Sequence, residues 1–134
     1  MAFLTTNGKR PDARRRARGF TLIELLVVMA IIGALMSLVA PSYFKQNSRA
    51  RETVLRHNLI TVRQAIDDYR ADHGADPDAL DTLVSGKYLR ELPLDPVTGR
   101  NDTWTTEPGE TSGIRDIRSG AKGTSLDGSD YASW

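Results

Sequence analysis

The chain has 134 residues, no cysteine and a formal net charge of only +1. This length accommodates one domain, and the lack of cysteine excludes disulfides, thiolate metal sites and cysteine nucleophiles. The charge is unevenly divided: residues 1–19 carry six basic residues against Asp12, whereas acidic residues outnumber basic ones by 16 to 12 afterwards. Because no basic stripe follows residue 20, nucleic acid is not expected as a partner.

Residues 20–40 form an apolar segment that contains only three polar residues, Thr21, Glu24 and Ser37. As a helix, this segment is roughly 30 Å long, which matches the hydrocarbon core of a bilayer. A small domain could not cover such a helix on all sides. Removal as a secretory signal is the rival interpretation, but a cut before Pro41 lacks the expected pair of small residues. We therefore predict a membrane helix, and the denser basic cluster before it favours a cytoplasmic N-terminus.

Glu24 is the one charged residue within this apolar segment. A carboxylate in hydrocarbon is costly unless it is paired, so Glu24 is a candidate functional residue. Small residues also recur on one face of the helix, at Ala30, Gly33, Ala34 and Ser37. That face either permits close helix packing or simply reflects how common small residues are in membrane helices.

After Pro41 the pattern becomes amphipathic. An apolar stripe at helical spacing consists of Leu55, Leu59, Val62, Ile66 and Tyr69, and it predicts a helix with one face in a core. Gly74 is a stop signal. We therefore expect one long helix that ends at about residue 73, with Pro41 as a kink or weak point.

Shorter elements are predicted beyond Gly74. A second helix is expected before Gly86, with Asp76 as its cap, Pro77 at its first position and an apolar side of Leu80, Leu83 and Val84. The pairs Asp95-Pro96 and Thr98-Gly99 are turn signals. Strands are expected around Trp104 and over residues 113–119, although Ile114 and Ile117 break strict alternation in the latter.

The stretch GFTLIELLVVMAIIGAL, which follows the basic leader, resembles the processing signal of type IV pilins and pseudopilins. The resemblance implies that a prepilin peptidase cuts between Gly19 and Phe20 and methylates the new N-terminus at Phe20. Glu24 then corresponds to the family's glutamate, five residues into the mature chain. Gly33 and Pro41 fall where the family commonly places a helix glycine and a kinking proline.

Two roles are open for Glu24 under this resemblance. The side chain reaches the membrane interface or neutralises the amine of its own Phe20, or it pairs with the Phe20 amine of a neighbouring subunit as helices stack into a filament. The second role would select the register of stacking, because a misplaced subunit would leave a buried charge unpaired.

The second half resembles one branch of this family. The runs LPLDPVTGRNDTW and DIRSGAKGTSLDGSDYASW resemble the G-type major pseudopilins of type II secretion. The implied fold is α+β and type IV pilin-like: a long N-terminal helix, then a small part with a short helix, a small antiparallel sheet and loops. We predict a cleaved leader at 1–19, a membrane-spanning segment at 20–40, a periplasmic helical segment at 41–73 and a small head at 74–134.

The resemblance also implies a metal site, since G-type pseudopilins bind calcium in the C-terminal loop through aspartates and backbone carbonyls. The matching donors are Asp127, Asp130 and the carbonyl of Leu126, with that of Ser125 as a further candidate. Calcium takes six to eight oxygen ligands. This chain departs from the pattern at Lys122 and Gly123, where an earlier aspartate is usual. The alternative is a loop held by hydrogen bonds and by packing of Trp134.

The implied function is assembly rather than catalysis. The chain would be a structural subunit of the type II secretion pseudopilus, anchored once in a bacterial inner membrane with its C-terminal domain in the periplasm. Its partners would be further copies of itself in a homopolymeric filament, the prepilin peptidase, minor pseudopilins, a platform protein and an assembly ATPase. The filament would drive folded proteins across the outer membrane.

Two alternative functions are also compatible with the sequence: a pilin of a type IV pilus, and a monomeric membrane-anchored binding domain. No enzymatic activity is expected, because His57 and His73 belong to no catalytic motif.

Overall fold

The computed structural model describes Ala2, Gly8 and residues 19–134. Its elements are α1 (Leu22–His73), α2 (Leu80–Ser85), β1 (Thr105–Pro108), β2 (Ile114–Arg118) and a short 3-10 helix (Tyr131–Ser133). The two strands form an antiparallel sheet, so the predicted α+β arrangement is confirmed. Most of the predicted leader, including its basic cluster, lies outside the described residues. The chain divides into two units, Met1–Leu38 and Val39–Trp134.

In the first unit, the helical residues are exposed, and all of them except Glu24 and Ser37 are apolar. A stretch of α1 is long and apolar enough to cross a membrane, with a mean hydropathy of 2.7, and none of it is buried. Exposed side chains include Leu22, Ile23, Leu26 and Met29. A buried core helix is therefore the wrong description of this segment, in agreement with the sequence.

In the second unit, α1 supplies one wall of the core. Pro41 lies inside the helix and does not end it. The predicted stripe is confirmed, since Leu55, Leu59, Val62 and Ile66 are buried and Tyr69 packs against them. The helix ends at His73, where Gly74 adopts a φ of 70° and its N–H donates to the carbonyl of Arg70 at 2.8 Å. Glycine occupies this left-handed conformation without steric cost.

The rest of the second unit folds back onto this stripe. The apolar core consists of Leu55, Leu59, Val62, Ala65, Ile66, Leu83, Leu89, Trp104, Ile114 and Ile117. Trp104 is 9% exposed, and its indole Nε1 donates to the carbonyl of Pro93 at 2.9 Å. The core is thus formed by α1 together with residues from the segment that follows it.

The start of α2 differs from the prediction. The helix begins at Leu80 with Ala79 at its cap position and no side-chain cap, so Asp76 is not the cap and Pro77 precedes the helix. The Asp76 carboxylate instead accepts from Nε of Arg70 at 2.5 Å, an interaction that raises the pKa of the arginine. The guanidinium offers the carboxylate a full positive charge, which a backbone N–H does not, and this difference explains the outcome. The predicted end of α2 at Gly86 is confirmed.

The sheet explains why two isoleucines break alternation. Thr105 pairs with Arg118, but the register shifts between Glu107 and Pro108, which places Ile114 opposite Pro108. Such an irregularity inserts an extra residue and turns the following side chain back to the same face. Ile114 and Ile117 are consequently both buried.

The predicted turn at residues 95–99 is organised by a buried aspartate. Asp95 donates its N–H to the carbonyl of Arg100 at 2.8 Å and accepts from the N–H of Gly99 at 2.7 Å. Its carboxylate is fully buried and accepts from the N–H of Val97 at 2.8 Å and the hydroxyl of Ser119 at 2.5 Å. These bonds replace water around the buried carboxylate, and they tie the turn to the segment after β2.

Candidate functional site

Glu24 takes part in a reciprocal cap at the start of α1. Its N–H donates to Oγ1 of Thr21 at 3.2 Å, and the N–H of Thr21 approaches Oε2 of Glu24 at 3.5 Å. This pattern is a capping box, in which a threonine and a glutamate three residues later satisfy each other's backbone donors. This role was not predicted from the sequence, although the letters TLIE contain the threonine and glutamate spacing of a capping box.

The predicted cleavage site lies immediately before this cap. Phe20 is 87% exposed, and no heavy atom lies within 4 Å of the position that a Cβ of Gly19 would occupy. Gly19, Phe20, Thr21 and Glu24 are therefore clustered at the N-terminal end of α1 and exposed. Cleavage and methylation at these residues stay predictions.

The small-residue face of α1 is open in the single chain. Nothing lies within 4 Å of the position that a Cβ of Gly33 would occupy. The hydroxyl of Ser37 donates to the carbonyl of Ala34 at 2.7 Å, so this polar group is satisfied inside its own helix. Such a surface permits another helix to approach closely without leaving a polar group unpaired.

Asp127 organises the C-terminal loop. Its Oδ1 accepts from the N–H of Ser129 at 3.0 Å and from the Ser129 hydroxyl at 2.6 Å, and it also accepts from the hydroxyl of Ser125. Its Oδ2 accepts from a guanidinium nitrogen of Arg56 at 3.0 Å. The serine hydroxyls, the Ser129 N–H and, to a smaller degree, Arg56 hold the pKa of the Asp127 carboxyl well below its usual range.

These contacts bear on the predicted calcium ligands. Both carboxylate oxygens of Asp127 already accept hydrogen bonds, and one of them faces a cation. The carbonyl of Asp130 accepts from Ser133. Within the described part of the chain, no three histidine, cysteine, aspartate or glutamate side chains come together as a metal-binding group. Calcium takes six to eight oxygen ligands, and Asp127 already directs one carboxylate oxygen to the guanidinium of Arg56; the calcium site stays an untested prediction.

The two histidines, His57 and His73, both lie on α1. His57 is exposed, as its position off the apolar stripe predicts. His73 stacks on Tyr69 with ring centroids 4.0 Å apart. Nearby, the hydroxyl of Tyr88 donates to the Asp72 carboxylate at 2.6 Å. That bond raises the pKa of Tyr88 to about 12.

Comparison with known proteins agrees with this geometry. Residues 14–40 match the prokaryotic N-terminal methylation motif. The type II secretion system core protein G of Pseudomonas aeruginosa is 33% identical, over 90% of this chain and 97% of its own. The corresponding proteins of Klebsiella pneumoniae and Escherichia coli are 30% and 29% identical, over 90% and 91% of this chain and 96% and 94% of theirs. No solved structure matches the chain.

The similarity extends over most of both chains, so it includes the small C-terminal part as well as the apolar helix. The methylation motif coincides with the segment that contains Gly19, Phe20 and Glu24. The chain therefore belongs to the family of type II secretion system core protein G, the pseudopilins that form the structural subunits of the type II secretion pseudopilus.

Proposed function

We propose that this pseudopilin is processed between Gly19 and Phe20 and then polymerises through the apolar part of α1 into a periplasmic filament that drives folded proteins across the outer membrane. The observation that carries the proposal is an apolar stretch of α1 that its own chain leaves unburied. Glu24, the one carboxylate of this stretch, lies in the first turn of the helix. In the membrane, lipid covers that surface; in a filament, the helices of other copies cover it.

The proposed topology places the N-terminus in the cytoplasm and residues 41–134 in the periplasm of an inner membrane crossed once. Support comes from the charge distribution, because six basic residues precede the apolar segment and basic residues are retained on the cytoplasmic side. The core of the second unit begins only at Glu52 and Leu55, well beyond the apolar stretch.

The proposed partners follow from this processing. A prepilin peptidase would remove residues 1–19 and methylate Phe20. A platform protein and a cytoplasmic ATPase would then drive the subunits out of the membrane, and minor pseudopilins would join the same filament. The open Gly33 face supports close packing between helices of successive subunits.

Glu24 has two successive roles in this proposal. Before cleavage, it caps α1 through Thr21. Cleavage turns the amide nitrogen of Phe20 into an amine, and the resulting cation becomes a partner for a carboxylate. The 3.5 Å contact from the Thr21 N–H is at the long end for a hydrogen bond, so the carboxylate retains capacity for that amine on a neighbouring subunit.

Three substitutions separate these roles. Glu24→Gln preserves a side chain that can complete the capping box but removes the charge. Thr21→Val removes the capping hydroxyl and keeps the charge, and Glu24→Leu removes both functions. We expect Glu24→Gln and Glu24→Leu to abolish filament assembly and secretion, and Thr21→Val to reduce them only slightly. Intact mass spectrometry of the membrane-extracted chains should give a start at Phe20 with one added methyl group in every case.

Each readout has an outcome that contradicts the proposal. Wild-type assembly by Glu24→Gln would refute the charge pair and leave capping as the role of Glu24. Wild-type function of Glu24→Leu would favour a monomeric tether. A mature chain that begins near residue 41 would refute retention of the apolar helix. Deletion of the gene should abolish release of secreted proteins, whereas loss of twitching or transformation instead would indicate a type IV pilus.

A further inference from the structure

We propose that the C-terminal loop of this chain is closed by a protein cation, the guanidinium of Arg56 on α1, rather than by a bound metal ion. The inference concerns residues 121–134 and the turn of α1 beneath them, and it does not depend on the proposed assembly. It departs from the calcium site that the resemblance to G-type pseudopilins implies.

The first observation is that Arg56 makes two contacts with the loop. One guanidinium nitrogen donates to Oδ2 of Asp127 at 3.0 Å, and the guanidinium carbon lies 4.1 Å from the centre of the Trp134 ring. A planar cation that pairs with a carboxylate and stacks on an indole joins the middle of the loop to its last residue. A calcium ion would also place positive charge beside Asp127, and here the arginine already provides a cation.

The second observation is a buried carboxylate one helical turn earlier. Glu52 is 9% exposed, and its Oε1 accepts from the N–H of Leu126 at 2.7 Å and from the hydroxyl of Tyr131 at 3.0 Å. Burial and the hydrogen bond to Glu52 raise the pKa of Tyr131. Glu52 thus holds the loop backbone beside Asp127. The residue that it holds is Leu126, a predicted calcium ligand, whose N–H is hydrogen-bonded to this glutamate of α1.

The third observation is that the loop satisfies its own polar groups. Nε1 of Trp134 donates to Oγ of Ser129 at 2.8 Å, and the hydroxyl of Ser129 donates to Asp127 at 2.6 Å. The rings of Tyr131 and Trp134 pack edge to face, 5.4 Å apart. No buried side-chain nitrogen or oxygen of the described residues lacks a hydrogen-bond partner. A metal would have to displace these donors from Asp127 before it could bind.

Hydrogen exchange of the full-length protein in detergent tests the proposal directly. We expect the amides of residues 121–134 to exchange at the same rate, within about twofold, in calcium and in the chelator EGTA, since closure needs no metal. Arg56→Gln should increase their exchange roughly two- to fivefold, the scale of a half-exposed ion pair that also stacks on a ring. Added calcium should not reverse this increase.

Two further variants complete the experiment. Arg51→Gln is the matched control, because Arg51 is an exposed arginine on the same helix, and it should leave the loop unchanged. In the second variant, Arg56→Gln is added to Asp127→Asn. Because the partner of Arg56 is already changed, adding Arg56→Gln should increase the amide exchange rate of the loop by a smaller factor than it does in the wild type. Two results would overturn the proposal: chelation that loosens the wild-type loop and is reversed by calcium, or equal exchange in Arg56→Gln and Arg51→Gln.

Discussion

Two glutamates of α1 show how the role of a residue depends on where its partners lie. Glu24 is bonded to Thr21, three residues away, and its cap can be recognised in four letters of sequence. Glu52 is bonded to Leu126 and Tyr131, which are 74 and 79 residues away. No local pattern marks Glu52, so its role could not be predicted from the sequence, whereas the structure places it under the C-terminal loop.

Gly120 is the residue whose replacement we expect to be least tolerated by the backbone. A Cβ added there would lie 1.8 Å from the carbonyl oxygen of Thr103, and the backbone of that segment would have to move. Gly120→Ala should lower the free energy of unfolding by about 1–3 kcal/mol, as overpacking does. Urea unfolding of the full-length chain in detergent measures this change.

A second glycine provides the control for this substitution. Gly99 has a φ of 73° and open space around it, and asparagine tolerates that conformation. Gly99→Asn should therefore lower the free energy of unfolding by less than Gly120→Ala does. The reverse order would show that the close approach of Gly120 to Thr103 is not limiting.

At the scale of elements, β2 is joined to α1 by apolar packing and by the guanidinium of Arg63. Ile117 is fully buried in the core. Beside it, Arg63 of α1 donates to the Asp116 carboxylate at 2.7 Å and to the carbonyl of Ile117 at 2.9 Å. Both charged side chains are about one-third exposed, so water weakens their pairing. Burial should therefore contribute more than charge to this junction.

Two substitutions in β2 measure that difference. Ile117→Ala should lower the free energy of unfolding by about 2–5 kcal/mol, because it removes buried methyl groups and leaves a cavity. Asp116→Asn should lower it by at most about 1 kcal/mol. Urea unfolding followed by tryptophan fluorescence gives both values. A larger loss from Asp116→Asn would mean that the arginine, not the isoleucine, dominates the junction.

At the scale of the whole molecule, all buried residues among those that the structure describes lie in the second unit. The apolar stretch of the first unit is unburied, whereas the buried residues of α1 begin at Glu52. Stability in water therefore belongs to the second unit, where core packing is supplemented by polar contacts between distant parts of the chain. One of these, from Tyr88 to Asp72 at 2.6 Å, is sensitive to alkali.

We expect this contact to make the second unit lose stability between pH 10 and pH 12. The hydrogen bond to Asp72 raises the pKa of Tyr88 from 10.0 to about 12, so the folded chain retains a proton that the unfolded chain releases. The stabilisation is therefore complete below pH 10 and declines as the pH rises towards 12. The stability difference between wild type and Tyr88→Phe, measured by urea unfolding across this range, should shrink accordingly.

Tyr43→Phe serves as the control, because Tyr43 is 67% exposed. The difference in free energy of unfolding between Tyr43→Phe and the wild type should not shrink between pH 10 and pH 12. A difference for Tyr88→Phe that is constant up to pH 12 would contradict the role of the Asp72 contact.

The sequence by itself determined the features that depend on neighbouring residues: the apolar segment, the stripe of α1, its end at Gly74, the turn at Asp95 and the approximate strands. Each follows from periodicity or from turn chemistry within a few residues. Only the tertiary structure decided that Asp76 pairs with Arg70 instead of capping α2, that a register shift buries Ile114 beside Ile117, and that Arg56 faces Asp127. These outcomes depend on which groups, distant in sequence, come into contact and on which of the competing contacts is stronger. A pattern of neighbouring residues contains neither kind of information.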